Sequence, residues 1–337
     1  MPAPVVVIVN ALARRWREAP HLLEAARALV EGRAVLHVTR DLGELEAAAR
    51  RSVDAEVVVL SGGDGTYGAG ISALHRVLGR LPTVALAPGG TVGTIARSLG
   101  VDAGRDPIAG LSRMLHAAHA RRRIQRTPTL SIEHDHGHAL GFIVGSGLVA
   151  SFFELYDQGA AAALASGAAE ATGPSSGGGN LAAARIVARV FLESFVSGPL
   201  AERVLSPLAC EVAVDGRVLP FPASSLIVAS VLRDLGLGMQ VTHRGGEDPT
   251  RPHVVVSGLL PRALGPRMFR VLRGVPIAGD DEAHFDGLVG ALTVDFGAEG
   301  GPWVLDGDLR RSRKITVRAG PTVDLLDLHG RASYPPD

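Results

Sequence analysis

The chain has 337 residues, no net formal charge and a single cysteine, Cys210. A neutral balance gives no global reason to bind nucleic acid, and one cysteine allows neither an intrachain disulfide nor a cysteine-based zinc site. Lys314 is the only lysine, so no glycine-rich turn is followed by the lysine of a Walker-type phosphate loop, and side-chain neutralisation of a phosphate would fall to arginine or a metal ion.

The length suits two domains, each with its own core. No uninterrupted apolar run is long enough to cross a bilayer, and the start, Met-Pro-Ala-Pro, has neither a basic n-region nor a long apolar h-region. A soluble, cytoplasmic protein is expected, at most peripheral on the inner face of the membrane.

The run from Val5 to Val9 predicts a first buried strand ending at Asn10, with Arg14, Arg15 and Arg17 close behind. Leu22, Leu23, Ala26, Leu29 and Val30 predict a helix from Glu18 to Gly32, and a second strand follows from Ala34 to Val38, ending at Thr39. Asp41 with Glu44 three residues on reads as a capping-box start for the next helix. The third strand, from Val57 to Leu60, is apolar throughout, as in a central parallel sheet, and runs into Ser61-Gly62-Gly63-Asp64-Gly65-Thr66. Glycines between a strand and a helix let the backbone approach a ligand, and the free N–H groups of the helix start favour an anion such as phosphate. Thr66 is expected to cap the helix traced by Tyr67, Ile71, Leu74, Val77 and Leu78. Asp64 is out of place beside a phosphate unless it acts through a cation or takes a proton from an attacking hydroxyl.

A fourth strand, from Thr83 to Ala87, leads into Pro88-Gly89-Gly90-Thr91-Val92-Gly93-Thr94. Glycine loops on successive parallel strands open at the same carboxyl edge of the sheet, where such sheets bind ligands. Ile108, Leu111, Leu115 and Ala118 predict another helix, ending in Arg121-Arg122-Arg123. Near Thr127-Pro128 the texture changes to short apolar runs: Thr129 to Ile132, Leu140 to Val144, Cys210 to Val214, Leu226 to Val231 and Val254 to Val256. These predict a mostly antiparallel second domain.

His134-Asp135-His136-Gly137-His138 could bring three imidazoles to one strand face, but Asp135 and Gly137 favour a polar hairpin tip over a metal site. Phe152, Phe153, Leu155 and Tyr156 could line an acyl-chain pocket or serve as core. A mobile or partly helical flap is expected from Gly159 to Asn180, and a helix through Ile186, Val187, Val190, Phe191 and Phe195. Near the end, Trp303-Val304-Leu305 closes on Asp306-Gly307-Asp308, followed by Arg310, Arg311, Arg313 and Lys314, a strand from Ile315 to Arg318 and an apolar tail from Val323 to Leu328.

Gly62-Gly63-Asp64-Gly65-Thr66 after a buried strand resembles the hallmark of the diacylglycerol kinase/sphingosine kinase superfamily, which also includes the NAD kinases. Pro88, Gly90, Thr91, Ala96 and Arg97 resemble its second signature, and Asp306-Gly307-Asp308 its terminal Asp-Gly-Glu. The resemblance implies an α/β fold with a Rossmann-like parallel-sheet domain at residues 1–127 and a mostly antiparallel β-sandwich domain with inserted helices at 128–337. The tail from about residue 315 is expected to pack back on the first domain.

It further implies a lipid kinase that moves the γ-phosphoryl of ATP to the hydroxyl of a diacylglycerol, ceramide or sphingoid lipid. ATP, with its Mg²⁺, would lie across Gly62, Gly63, Gly65, Thr66 and the Gly89-Gly90-Thr91 turn, with Asn10 and Thr39 at the nucleotide and Arg97 assisting. Asp64, Asp306 and Asp308 are the candidates for activating the lipid hydroxyl. Three positions depart from the pattern: Ala11 stands for proline, Gly93-Thr94 for Asn-Asp, and Asp308 for glutamate. An NAD kinase-like enzyme and a non-catalytic nucleotide- or lipid-binding relative are the rival readings. The expected partners are a lipid substrate and a membrane surface met through Arg121, Arg122 and Arg123 or the cluster from Arg310 to Lys314. A homodimer stays open, and the sequence names neither metal ligands nor the lipid.

Overall fold

Two valine-rich runs form the centre of the first sheet. Val5–Asn10 (β1) and Val57–Gly62 (β3) bury their apolar side chains on both faces, as strands do when helices cover both sides of a sheet. β1 pairs in parallel with Val35–Thr39 (β2) and with β3, and β3 pairs in parallel with Thr83–Pro88 (β4). Val323–Asp327 (β20), near the end of the chain, lies parallel to β4 and antiparallel to Arg123–Thr127 (β5), giving the order β2-β1-β3-β4-β20-β5. β20 is thus an interior strand, and Val323, Leu325 and Leu326 are fully buried.

The structure is a computed structural model, and it describes residues 4–90, 93–101, 104–120, 123–155, 206–236, 239–264, 267–277 and 283–328. Thr91, Arg121, Arg122, Tyr156, the expected flap from Gly159 to Asn180 and the expected helix from Ile186 to Phe195 lie outside the described residues. The chain divides into two units. The first comprises Met1–Thr129, Ala139–Gly141 and Gly320–Asp337, and the second Leu130–His138 and Phe142–Ala319.

Among the described residues, six helices belong to the first unit: Arg14–Glu18 (α1), His21–Val30 (α2), Leu42–Arg50 (α3), Asp64–Leu78 (α4), Thr94–Ser98 (α5) and Pro107–His119 (α6). Val7, Val9, Val57 and Val59 from the strands share one core with Ala26 and Val30 of α2 and with Leu111, Met114 and Leu115 of α6. α4 lies directly on β3, since a Cβ at Gly70 would come within 2.6 Å of the Leu60 side chain. The helix expected from Glu18 to Gly32 runs from His21 to Val30 as α2, and the short α1 precedes it. Pro20 disfavours helical backbone at the residue before it, and Ala19 sits at φ −135° between α1 and α2.

Among the described residues, the second unit holds two six-stranded antiparallel sheets. One is ordered β11 (Arg217–Val218), β10 (Glu211–Val214), β16 (Ala291–Asp295), β19 (Lys314–Ala319), β6 (Leu130–His134) and β7 (Gly137–Gly141), the last reaching into the first unit at Ala139–Gly141. The other is ordered β15 (His284–Leu288), β14 (His253–Ser257), β13 (Leu226–Ser230), β8 (Ile143–Gly147), β17 (Gly301–Leu305) and β18 (Asp308–Ser312). A short ribbon pairs β9 (Leu208–Ala209) with β12 (Ala223–Ser224). The His134 ring of the one large sheet meets the Trp303 ring of the other at 5.5 Å. The strand expected from Leu140 to Val144 breaks at Phe142, for a reason found at Asp306.

Candidate functional site

β3 and β4 end side by side, with Gly62 opposite Pro88, so their glycine turns leave the same edge of the sheet. The turns touch each other through backbone. Gly90 donates its N–H to the Gly62 carbonyl at 2.8 Å, and a Cβ on Gly90 would collide with the Gly63 backbone. A Cβ on Gly89 would meet Trp16 Nε1 at 2.5 Å and Gly62 Cα at 2.9 Å. These glycines therefore serve first to bring two loops into contact.

Side chains brace the pair from behind. Trp16 is buried and donates from Nε1 to Ser61 Oγ at 3.1 Å, while the Ser61 hydroxyl donates to the Pro88 carbonyl at 3.1 Å. Tyr67 donates its hydroxyl to Ala87 at 2.9 Å. Arg15 donates its backbone N–H to Gly89 at 3.0 Å and Nε–H to Gly90 at 2.9 Å, and its guanidinium also meets the Arg105 carbonyl. Arg15 thus supports the second loop's backbone. The sequence does not single out Trp16, which nothing in the apolar periodicity marks.

Asp64 is the first residue of α4, and its carboxylate crosses to the second loop. It accepts the N–H of Thr94 at 2.8 Å and of Ile95 at 3.0 Å. These are orphan donors at the start of α5, whose own N-cap, Gly93, sits at φ +63° and has no side chain to offer them. Charge-assisted bonds of this kind are among the stronger ones, so Asp64 clamps one loop to the other.

Thr66 caps α4 from its third position, as the N3 member of a capping box, and is not the N-cap itself. Gly63 is the N-cap and Thr66 lies three residues further on, where its Oγ1 accepts from Asn10 Nδ2 at 2.9 Å and, more weakly, from Gly63 N–H at 3.4 Å. Asn10 Oδ1 in turn accepts the Leu12 N–H at 3.0 Å. Thr39, opposite Asn10 across the β1–β2 ladder, is buried and donates its hydroxyl to the Val9 carbonyl at 3.3 Å. Arg97 on α5 donates Nε–H to the Gly93 carbonyl at 3.1 Å.

Asn10, Gly62, Gly63, Asp64, Thr66, Gly89 and Gly90 are therefore one connected constellation at the carboxyl edge of the sheet, with Gly65 in the first turn of α4. The first-turn N–H groups of a 15-residue helix have no partner within the helix and carry the positive end of its dipole. Flanked by Gly63 and Gly65, that turn fits a phosphate group.

In the second unit Asp306 and Gly307 form a two-residue hairpin turn between β17 and β18, with φ of +51° and +93°. The Asp306 carboxylate is buried. Its Oδ1 accepts the N–H groups of Phe142 and Ile143, each at 2.9 Å, and its own N–H donates to the Ile143 carbonyl at 3.0 Å. This grip bends the chain between β7 and β8. Asp308, by contrast, is exposed at the start of β18. The helical stretch 148–155 brings Phe153 beside the turn, 3.7 Å from where a Cβ on Gly307 would be.

The histidine run forms the β6–β7 hairpin, in which Asp135 accepts the Arg313 N–H at 2.6 Å and His138 bonds Ser131 at 2.8 Å. Burial, together with the nearby Arg310 charge, holds the His134 imidazole below its ordinary pKa. Arg310 lies over the Trp303 ring at 5.6 Å.

Residues 4–125 match the diacylglycerol kinase catalytic domain family. Among solved structures, the chain is similar to a diacylglycerol kinase from Bacillus anthracis strain Sterne, with 13% identity, a TM-score of 0.57 and coverage of 96% of this chain and 97% of that one. Two further structures from that strain, assigned to the same class, give TM-scores of 0.60 and 0.58 at 14% identity. They cover 96% of this chain and 96% and 97% of theirs, and at such identities the likeness is one of fold. No curated protein matches the chain.

Proposed function

We propose, from the match of residues 4–125 to the diacylglycerol kinase catalytic domain family, that the chain is an ATP-dependent lipid kinase acting on the hydroxyl of a diacylglycerol, ceramide or sphingoid-type lipid. The observation that carries this reading is the pair of glycine loops held in backbone contact and clamped by Asp64. Phosphoryl transfer asks mainly for positioning and charge neutralisation, and a rigid double loop beside a helix N-terminus supplies positioning.

The triphosphate would rest on Gly63, Gly65 and the Gly89-Gly90-Thr91 turn, with Asn10 and Thr39 beside the nucleotide. The Thr39 hydroxyl is already given to Val9, so Thr39 would shape the pocket wall. Mg²⁺ bound with ATP would supply much of the charge neutralisation, in the absence of a Walker-type lysine. In the transfer, the lipid hydroxyl oxygen bonds to the γ-phosphorus as the bond to the bridging oxygen breaks, and ADP leaves. The hydroxyl proton passes to a carboxylate. Asp308 is assigned this role because its side chain is exposed, whereas Asp306 is engaged with Phe142 and Ile143 and acts as a positioning residue.

No helix among the described residues is long and apolar enough to cross a membrane. The reading includes peripheral contact with headgroups through the basic cluster from Arg310 to Lys314, at the end of β18 and the start of β19. The deciding experiment offers labelled ATP with a panel of lipids and, separately, with NAD. Label in a lipid phosphate is the expected result. Label in NADP would establish the NAD kinase alternative, and ATP binding without transfer to any acceptor would leave a binding protein.

A further inference from the structure

Within the second unit, one buried polar cluster has no task in the kinase reading. His253 lies on β14, His284 and Asp286 on β15, and His243 on the turn before β14. Val255 pairs with Asp286 and Ser257 with His284, so His253, Asp286 and His284 stand on one face of the ladder.

His253 is fully buried and its bonds are spent. Its Nδ1 accepts the Arg244 N–H at 3.4 Å, which leaves the proton on Nε2, donated to Asp286 Oδ1 at 2.7 Å. What remains is a set of atoms without hydrogen-bond partners among the described residues: Asp286 Oδ2, Nδ1 of His243 and both ring nitrogens of His284, all buried. His284 Nε2 stands 3.9 Å from Asp286 Oδ2, too far for a hydrogen bond. Ligand atoms of His243, His253 and Asp286 lie within 4.8 Å of one another.

We propose that Asp286 and His243 hold a divalent transition-metal ion of the zinc class, joined by His284, whose ring turns in from its 3.9 Å separation from Asp286 Oδ2, with His253 behind Asp286 as the group that orients it. Two imidazoles and a carboxylate suit zinc and its neighbours. Magnesium and calcium prefer all-oxygen shells. A ligand whose other oxygen is fixed by an N–H donor is the usual support of such sites. The loop that carries His243 is itself held, because Thr242 donates to the Leu232 carbonyl at 2.7 Å and a Cβ on Gly245 would collide with that same carbonyl group. The ion would tie β15, an edge strand of its sheet, to this loop. With three protein ligands, water takes the remaining position.

The test uses the untagged full chain, stripped with a chelator and titrated with Co²⁺ alone and with Zn²⁺ alone. Calorimetry, visible Co²⁺ absorption and thermal melting give the readouts. Uptake of a single ion per chain with a raised Tm is expected. His243→Ala and Asp286→Asn should abolish it, and His253→Gln should weaken it about 10–100-fold, as the loss of an orienting group does. His138→Ala, in the exposed hairpin, should leave uptake unchanged. If Asp286→Asn fails to fold, His243→Ala on its partly exposed loop decides. No uptake by the wild-type chain, or uptake indifferent to His243→Ala, overturns the proposal.

Discussion

Asp64 accepts two backbone N–H groups, and an amide cannot take its place without loss. Asn has a single acceptor oxygen, and its NH₂ would face a donor where a carboxylate oxygen now stands. Hydrogen bonds to charged groups contribute about 1.5–3 kcal/mol, so Asp64→Asn should lower Tm measurably as well as cut phosphate transfer by about 10²-fold or more. A residue acting only as a base would lose turnover with melting unchanged, so the two measurements together separate clamp from base. The carboxylates of the terminal turn should split in the same way. Asp306→Ala removes the grip on Phe142 and Ile143 and should destabilise the chain, because two buried N–H donors lose their acceptor. Asp308→Ala, at an exposed position, should alter stability by no more than about 0.5 kcal/mol yet lower kcat with little change in KM for ATP. Equal kcat for Asp308→Ala and wild type would remove Asp308 from the chemistry.

At the scale of elements, the loops test the idea that their glycines are there for each other. Gly90→Ala places a methyl group into the Gly63 backbone, which cannot rotate away as a side chain would. Overpacking of this kind costs about 1–3 kcal/mol, and here it should push the loops apart and weaken ATP binding together with transfer. Gly93 has no atom within 4 Å of its would-be Cβ and only its φ of +63° to satisfy, which Asn tolerates. Gly93→Asn should therefore melt near wild type and shift KM for ATP more than kcat, as measured in steady-state assays. The strands around these loops were legible because Val5 to Val9 and Val57 to Leu60 are unbroken apolar runs that only a sheet covered on both faces absorbs. The glycine-rich turns were legible as loops for the same reason that they now prove close-packed, since both need absent side chains. The partner of Asp64 was not legible, because it lies 30 residues downstream and is backbone, which carries no residue-type signal. The apolar periodicity of α2 begins at Leu22, beyond Pro20, so it carries no trace of the short α1 that precedes the proline. The cluster of His243, His253, His284 and Asp286 escaped because its members meet only after β14 and β15 pair, whereas the contiguous histidines at 134, 136 and 138 drew the eye and form a polar hairpin.

At the scale of the whole molecule, the chain returns to its beginning to finish its first sheet. Before the chain end takes part, membrane contact offers one test. If headgroups are met through Arg310 to Lys314, binding to anionic vesicles should weaken as salt rises, each charge near the surface contributing roughly 1 kcal/mol. Sedimentation that ignores salt would argue against that cluster as the contact, all the more because Arg310 stacks on Trp303 and Arg311 reaches the Gly300 carbonyl. The sheet itself makes the stronger prediction. β20 fills the place between β4 and β5, pairing Leu325 with Val84 on one side and Val323 to Asp327 with Arg123 to Thr127 on the other. A chain that stops at Gly320 would leave β4 with an open edge and an apolar face uncovered where Leu326 joins the core of Val59, Ala85 and Leu111. Contacts this distant in sequence form late, so such a chain should also expose its parallel strands throughout folding. It is expected to aggregate or to melt without a cooperative transition, and to lose phosphate transfer although every residue of both glycine loops is intact. A chain ending at Leu328 keeps the whole of β20 and provides the comparison, with soluble yield, thermal melting and activity as readouts. Cooperative melting at the wild-type temperature by the shorter chain would mean that the first unit completes its sheet without β20.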